Sequence, residues 1–110
     1  MLNKRSDNRR KSARFTVDID GYYYYGNKWQ KCRIYDLNLE GAGLRLSQFF
    51  VKNDVIKLKM GTETEQFVVD AIVANVNGPR IGVQFVNMDD FDREALNKII
   101  STHAKKYKII

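Results

Sequence analysis

Apolar and polar residues alternate from position 15 onward. Phe15, Val17 and Ile19 face one way and Thr16, Asp18 and Asp20 the other, a period of two that predicts a strand. The run continues past Gly21 into four consecutive tyrosines at 22–25, and Gly26-Asn27 signals a turn. Alternation resumes over 29–37, with Cys32 and Ile34 on one face and Arg33 and Tyr35 on the other. A short strand is predicted over 42–47. Ile56, Leu58 and Met60 then alternate with Lys57 and Lys59, and Gly61-Thr62 closes that segment. The longest predicted strand spans 66–76, and Asn77-Gly78-Pro79 turns it into 80–86, a hairpin by spacing and turn chemistry.

The last segment changes period. Phe91, Ala95, Leu96, Ile99 and Ile100 fall at helical spacing, with Asp89, Asp90, Asp92 and Glu94 in the first turns and Lys105 and Lys106 near the end. This predicts one amphipathic helix over about 89–107. Six or seven short strands followed by one helix make a mainly all-β chain. Its natural form is a closed or nearly closed antiparallel barrel, because closure removes exposed edges, with the helix packed on or capping it.

Composition then excludes several classes. A chain of 110 residues is one domain. With 44% hydrophobic and 29% charged residues it belongs with soluble globular proteins. No run approaches the roughly 18 to 20 apolar residues of a membrane span, and no apolar segment follows the charged N-terminus as a signal peptide requires. The expectation is a cytoplasmic protein. Cys32 is the single cysteine, so neither an internal disulfide nor a cysteine-rich zinc site is available, and its place in an alternating strand marks it as a buried thiol. The one histidine, His103, has no second histidine or acid at ligand spacing and reads as a surface residue. There is no phosphate loop and no Ser/His/Asp constellation. No enzyme activity, no metal and no cofactor are expected.

Charge matters more by location than by sum. The net charge is +6, and residues 1–14 hold six basic side chains, Lys4, Arg5, Arg9, Arg10, Lys11 and Arg14, against Asp7, a net +5. The body is therefore close to neutral. A segment with so little to bury is expected to be a flexible basic arm, 1–14, ahead of a single barrel domain, 15–110. Such an arm suits ordering around a polyanion.

One stretch interrupts the strands. Residues 36–43 read DLNLEGAG, with Asp36, Asn38, Gly41 and Gly43 between one strand and the next. A hairpin connection explains them, since Asp and Asn hydrogen-bond the local backbone and Gly supplies positive φ. Asp36 and Asn38 also share parity. While the strand stays extended, a carboxylate and an amide face the same way and can take a planar donor pattern.

RKSAR at 10–14 fits RxxxR, and DLNLEG at 36–41 fits (D/N)xSxxG with Asn38 in the serine position. In this order, ahead of RIGVQF and a final helix, the two motifs resemble the PilZ domain, a bacterial receptor for cyclic di-GMP, over nearly the whole chain from Arg9 to about Ile100. The resemblance implies a six-stranded antiparallel β-barrel with a C-terminal α-helix. It implies that Arg10 and Arg14 supply planar forks to phosphate oxygens and the guanine O6/N7 edge. Four residues of extended chain span roughly 13 Å, enough for the two to bracket a ligand. Asp36 would accept from guanine N1 and N2, Asn38 would bond a base edge or phosphate, and Gly41 would admit the backbone closely. An arginine at the position of Arg9 is associated in the family with two intercalated cyclic di-GMP molecules per protomer, the extra guanidinium stacking on an exposed guanine. A single receptor domain is expected to act through a downstream protein partner.

The alternative is a small β-barrel binding single-stranded nucleic acid, carried by the basic arm, the tyrosine tetrad and Trp29. Against it, consecutive tyrosines on a strand point to opposite faces, and a near-neutral body offers no charged groove. Nucleic acid is therefore the weaker reading. A structural adaptor with a vestigial site is a third.

Overall fold

A computed structural model describes residues 15–61 and 66–103 of the chain. Six strands and one helix follow in order: β1 Phe15–Tyr25, β2 Lys28–Leu37, β3 Gly41–Arg45, β4 Val55–Gly61, β5 Gln66–Asn77, β6 Arg80–Val86, and α1 Asp90–His103. Every pairing is antiparallel, and the sheet closes as β1-β2-β3-β6-β5-β4, with β4 returning to β1. The barrel anticipated from alternation is the one observed. The arm at 1–14 and the predicted end of the helix at 104–107 lie outside the described residues.

Turn chemistry sets the register. Gly26 and Asn27 both have positive φ, 64° and 65°, and Tyr25 pairs with Lys28 around them. This two-residue turn has the twist that antiparallel strands prefer. Gly78, at φ 65°, and Pro79 close the β5–β6 hairpin with another two-residue turn, positive φ at its first residue only, and Asn77 lies opposite Arg80. Pro79 fits there because its fixed negative φ follows a glycine that takes the positive one.

Alternation fills the barrel. Val17, Ile19 and Tyr23 from β1 meet Ile34, Leu44, Leu58, Val69, Val73, Ile81 and Val83 in one continuous core. Of the four tyrosines, Tyr23 is fully buried, whereas Tyr24 and Tyr25 are exposed. Where Gly21 lies on β1, a methyl group would meet Ile34 Cδ1 at 2.6 Å, so glycine leaves room for that core side chain.

The helix begins on a reciprocal cap. Asp92 N–H donates to Asp89 Oδ1 at 2.9 Å and Asp89 N–H to Asp92 Oδ2 at 3.3 Å, satisfying donors the first turn leaves open. Leu96, Ile99 and Ile100 bury the inner face of α1 against the barrel, and its neighbours there are β1, β4 and β5. Two sequence expectations shift here. Phe91, assigned to the apolar face, is 73% exposed, because it is one turn too early to reach the barrel. His103 is half-buried instead of at the surface, and its Nε2 is screened from solvent with no hydrogen-bond partner among the described residues.

Candidate ligand site at the β2–β3 turn

The segment DLNLEG begins with a break in register. Ile34 pairs with Leu44 and Asp36 with Gly43, so Tyr35 is an extra residue on β2. Inward positions along β2 accordingly run Cys32, Ile34 and then Leu37. Strict alternation would have aimed the Asp36 carboxylate into the core, at heavy desolvation cost. The bulge moves it from the core to the outer face, where Asp36 is half-buried with Oδ1 screened from solvent, and lets Leu37 bury instead.

Tyr35 and Asp36 end on the same patch. A Cβ placed on Gly43 would meet the Tyr35 ring at 2.8 Å and Asp36 Oδ1 at 2.9 Å. Only glycine fits beneath them. The Arg80 guanidinium lies over the Tyr35 ring, 4.9 Å from the centroid, a cation–π contact.

Asn38 is buried and holds the turn. Its Oδ1 accepts from the N–H groups of Glu40 and Gly41, both at 2.8 Å, and its own N–H donates to the Gly41 carbonyl at 3.0 Å. The hairpin-connection reading of this segment describes Asn38 Oδ1 well. Gly41 has a requirement of its own, since any Cβ there would run into the Val83 carbonyl oxygen of β6. Glycine at 41 is demanded by the fold before any ligand is considered.

The first described residue of β1, Phe15, pairs with Leu37, and Thr16 pairs with Asp36. The chain that precedes β1 therefore joins the barrel at the DLNLEG turn. Arg9, Arg10 and Arg14 lie outside the described residues, while Asp36, Asn38 and Gly41 are brought together at this one turn.

Toward the end of β3 away from the turn, the outer face of β2, β3 and β6 carries a row of arginines. Arg33 is directly opposite Arg45, and Arg45 directly opposite Arg80. Arg33 is offset by Asp18 at 3.3 Å and Asp20 at 3.1 Å. Neither Arg45 nor Arg80 has a carboxylate partner among the described residues. Sequence reasoning took Gly43 only as a turn glycine and missed Tyr35, Arg45 and Arg80. The apolar spacing 32, 34, 37 was the available signal, since a step of three inside a period of two is what a bulge leaves behind.

Other features are structural. Burial pushes the Cys32 thiol up to about 12, with the Asp20 carboxylate adding to the rise and a hydrogen bond from the Gly21 backbone opposing it. This thiol stays protonated and inert near neutrality. The exposed aromatics that favoured nucleic acid are already engaged, Trp29 with Tyr24 at 5.2 Å and with the Lys59 ammonium at 4.5 Å. A groove of about 890 Å³ between α1 and the start of β5 contains none of the predicted site residues. Among the described residues no group of His, Cys, Asp and Glu is arranged to hold a metal, and no helix is long and apolar enough to cross a membrane.

Comparison with known proteins fits this geometry. The family model described as the PilZ domain matches residues 8–101. The fold is similar to the PilZ domain of CeSA from a cellulose-synthesizing bacterium, at 12% identity and TM-score 0.68, covering 83% of this chain and 97% of that one. It is similar to the PilZ domain of YcgR from Escherichia coli, solved with c-di-GMP, at 22% identity and TM-score 0.68, covering 86% and 90%. The inhibitor of motility MotI/DgrA of Bacillus subtilis aligns at 16% identity and TM-score 0.69 over 84% of this chain and 50% of that one. No curated protein matches in sequence.

Proposed function

The chain belongs to the PilZ domain family, and on that premise we propose that it is a receptor for cyclic di-GMP, bound where the basic arm meets the β2–β3 turn. One feature of the backbone carries the reading. Phe15, which directly follows RxxxR in the sequence, pairs with Leu37 within the segment that holds Asp36, Asn38 and Gly41, and this supports one ligand shared by the two motifs. The YcgR PilZ domain, alike in fold, was solved with this dinucleotide.

In this reading Arg10 and Arg14 grip phosphate and guanine, because a guanidinium fork matches both and a point-charge ammonium does not. Asp36 accepts from guanine N1 and N2. Asn38 Oδ1 accepts two backbone N–H groups and so holds the turn that the ligand meets. The arm, 1–14, orders around the dianion, and the barrel, 15–110, presents the ordered arm to a downstream protein in the bacterial cytoplasm. Arg9 covers a second, stacked cyclic di-GMP. Nothing in this scheme involves catalysis.

Titration calorimetry of the full chain with cyclic di-GMP, GTP and a short oligonucleotide is the test. Cyclic di-GMP is expected to bind at two equivalents, falling to one in Arg9→Leu. Arg10→Ala and Arg14→Ala are each expected to lose about 2–5 kcal/mol of binding with an unchanged melting temperature. Binding of the oligonucleotide alone would replace this function with the nucleic-acid reading.

A further inference from the structure

The outer face of β2, β3 and β6 has two glycines directly opposite each other, Gly43 and Gly82, and a register shift on either side of them. One shift is at Tyr35 on β2. The other falls between Val73 and Asn75 on β5, where the Asn75 side chain would come within 2.9 Å of a Cβ on Gly82. Glycine inside a strand weakens it, and paired glycines weaken it twice in one place. Together they make a floor without side chains, onto which the two shifts fold planar groups from both flanks. The phenol of Tyr35, the carboxylate of Asp36 and the amide of Asn75 all lie on it.

Arg80 completes the layer. Its guanidinium rests over the Tyr35 ring, 4.9 Å from the centroid, and Arg45 stands directly opposite it. Like charges facing each other across a ladder oppose folding. For Arg33 the neighbouring aspartates relieve this, whereas for Arg45 and Arg80 no described carboxylate does. An arrangement that costs stability in three ways, by glycines, by bulges and by charge, is one that an anionic planar ligand would relieve.

Resting on the receptor reading above, we propose that Arg80, held over Tyr35, is a further wall of the cyclic di-GMP site, and that its guanidinium stacks on a guanine of the ligand. Arg80 is the contact residue and Tyr35 the positioning residue. Tyr35 holds the Arg80 guanidinium, and Arg80 meets the base. Guanine suits the place, because its π face takes a guanidinium plane. Arg45 adds charge towards the ligand's phosphates without a stacking role.

The test is titration of the full chain with cyclic di-GMP, with thermal melts to check folding of each variant. Wild type binds. Arg80→Ala is expected to bind about tenfold more weakly, the scale of losing one base-stacking partner. Arg80→Lys keeps the charge but has no plane, so it is expected to stay close to Arg80→Ala. Tyr35→Phe should match wild type and Tyr35→Leu should weaken binding. The double variant Tyr35→Leu with Arg80→Ala should be no weaker than Arg80→Ala alone, because Tyr35 acts through Arg80. If wild type binds and both Arg80 variants titrate like it, the stack is overturned while the receptor stands. If the double variant loses the sum of the two single losses, Tyr35 acts on its own and the positioning role is overturned. A wild-type chain that takes no cyclic di-GMP overturns the receptor and the stack together.

Discussion

The β4–β5 ladder and the β2–β3 ladder belong to one barrel and obey opposite rules. Between β4 and β5 seven consecutive pairs run from Val55–Ile72 to Gly61–Gln66 without a shift. Every inward position is apolar, the outer face mixes valines with charged residues, and Lys57 meets Asp70 across the strands at 3.0 Å. Between β2 and β3 the register slips at Tyr35, a glycine replaces a side chain at 43, and a buried asparagine closes the turn. The first ladder is what stability alone would choose. The second departs from it at Tyr35, Gly43 and Asn38, and those departures gather where we propose that the ligand binds.

If this contrast is sound, substitutions in the regular ladder act on stability alone. Leu58 is fully buried in β4, and Leu58→Ala is expected to cost about 2–5 kcal/mol in chemical denaturation, from lost transfer energy and the cavity left behind. Calorimetry below the transition should still give the wild-type affinity for cyclic di-GMP. A large loss of affinity would show that the two ladders are not separable.

In the interrupted ladder a single residue serves both ends. Asn38→Ala leaves the N–H groups of Glu40 and Gly41 without their acceptor and is expected to cost about 1–3 kcal/mol of stability, together with weaker binding through a looser turn. Asn38→Ser keeps a hydroxyl acceptor at that position and restores the residue usual in the motif. It is expected to retain or improve binding, with a melting temperature above that of Asn38→Ala. Equal melting temperatures for the two variants would remove Asn38 from the turn.

The same contrast explains what could be read from the chain. The β4, β5 and β6 strands follow from period-two alternation, because every inward position there is apolar as far as Val73. The β5–β6 hairpin follows from Gly78-Pro79. Asp36, Asn38 and Gly41 were legible as a motif, and Asn38 Oδ1 as a turn former. The re-aiming of Asp36 was not, since parity counted from Cys32 and Ile34 sends it inward until a bulge is allowed. Nor were Gly43 and Gly82 legible as a pair, 39 positions apart, because only the β3–β6 register sets them opposite each other. The Tyr35–Arg80 contact depends on both of these and was hidden for the same reason.

The smallest effects sharpen the comparison most, because they differ in sign. Lys57→Met removes an exposed cross-strand ion pair, so stability should fall by less than about 1 kcal/mol, with no change in ligand affinity. Arg45→Gln removes the middle charge of the Arg33, Arg45, Arg80 row. Like charges directly opposite one another oppose the ladder by roughly 0.2–1 kcal/mol per pair, so this variant should melt slightly higher than wild type. Its affinity for cyclic di-GMP should fall, and the salt dependence of binding should flatten, because one cation fewer attracts the dianion. A charge whose removal stabilises the fold and weakens the complex is held there for the ligand. A lower melting temperature with unchanged affinity would make Arg45 an ordinary surface residue and return the row to the regular part of the barrel.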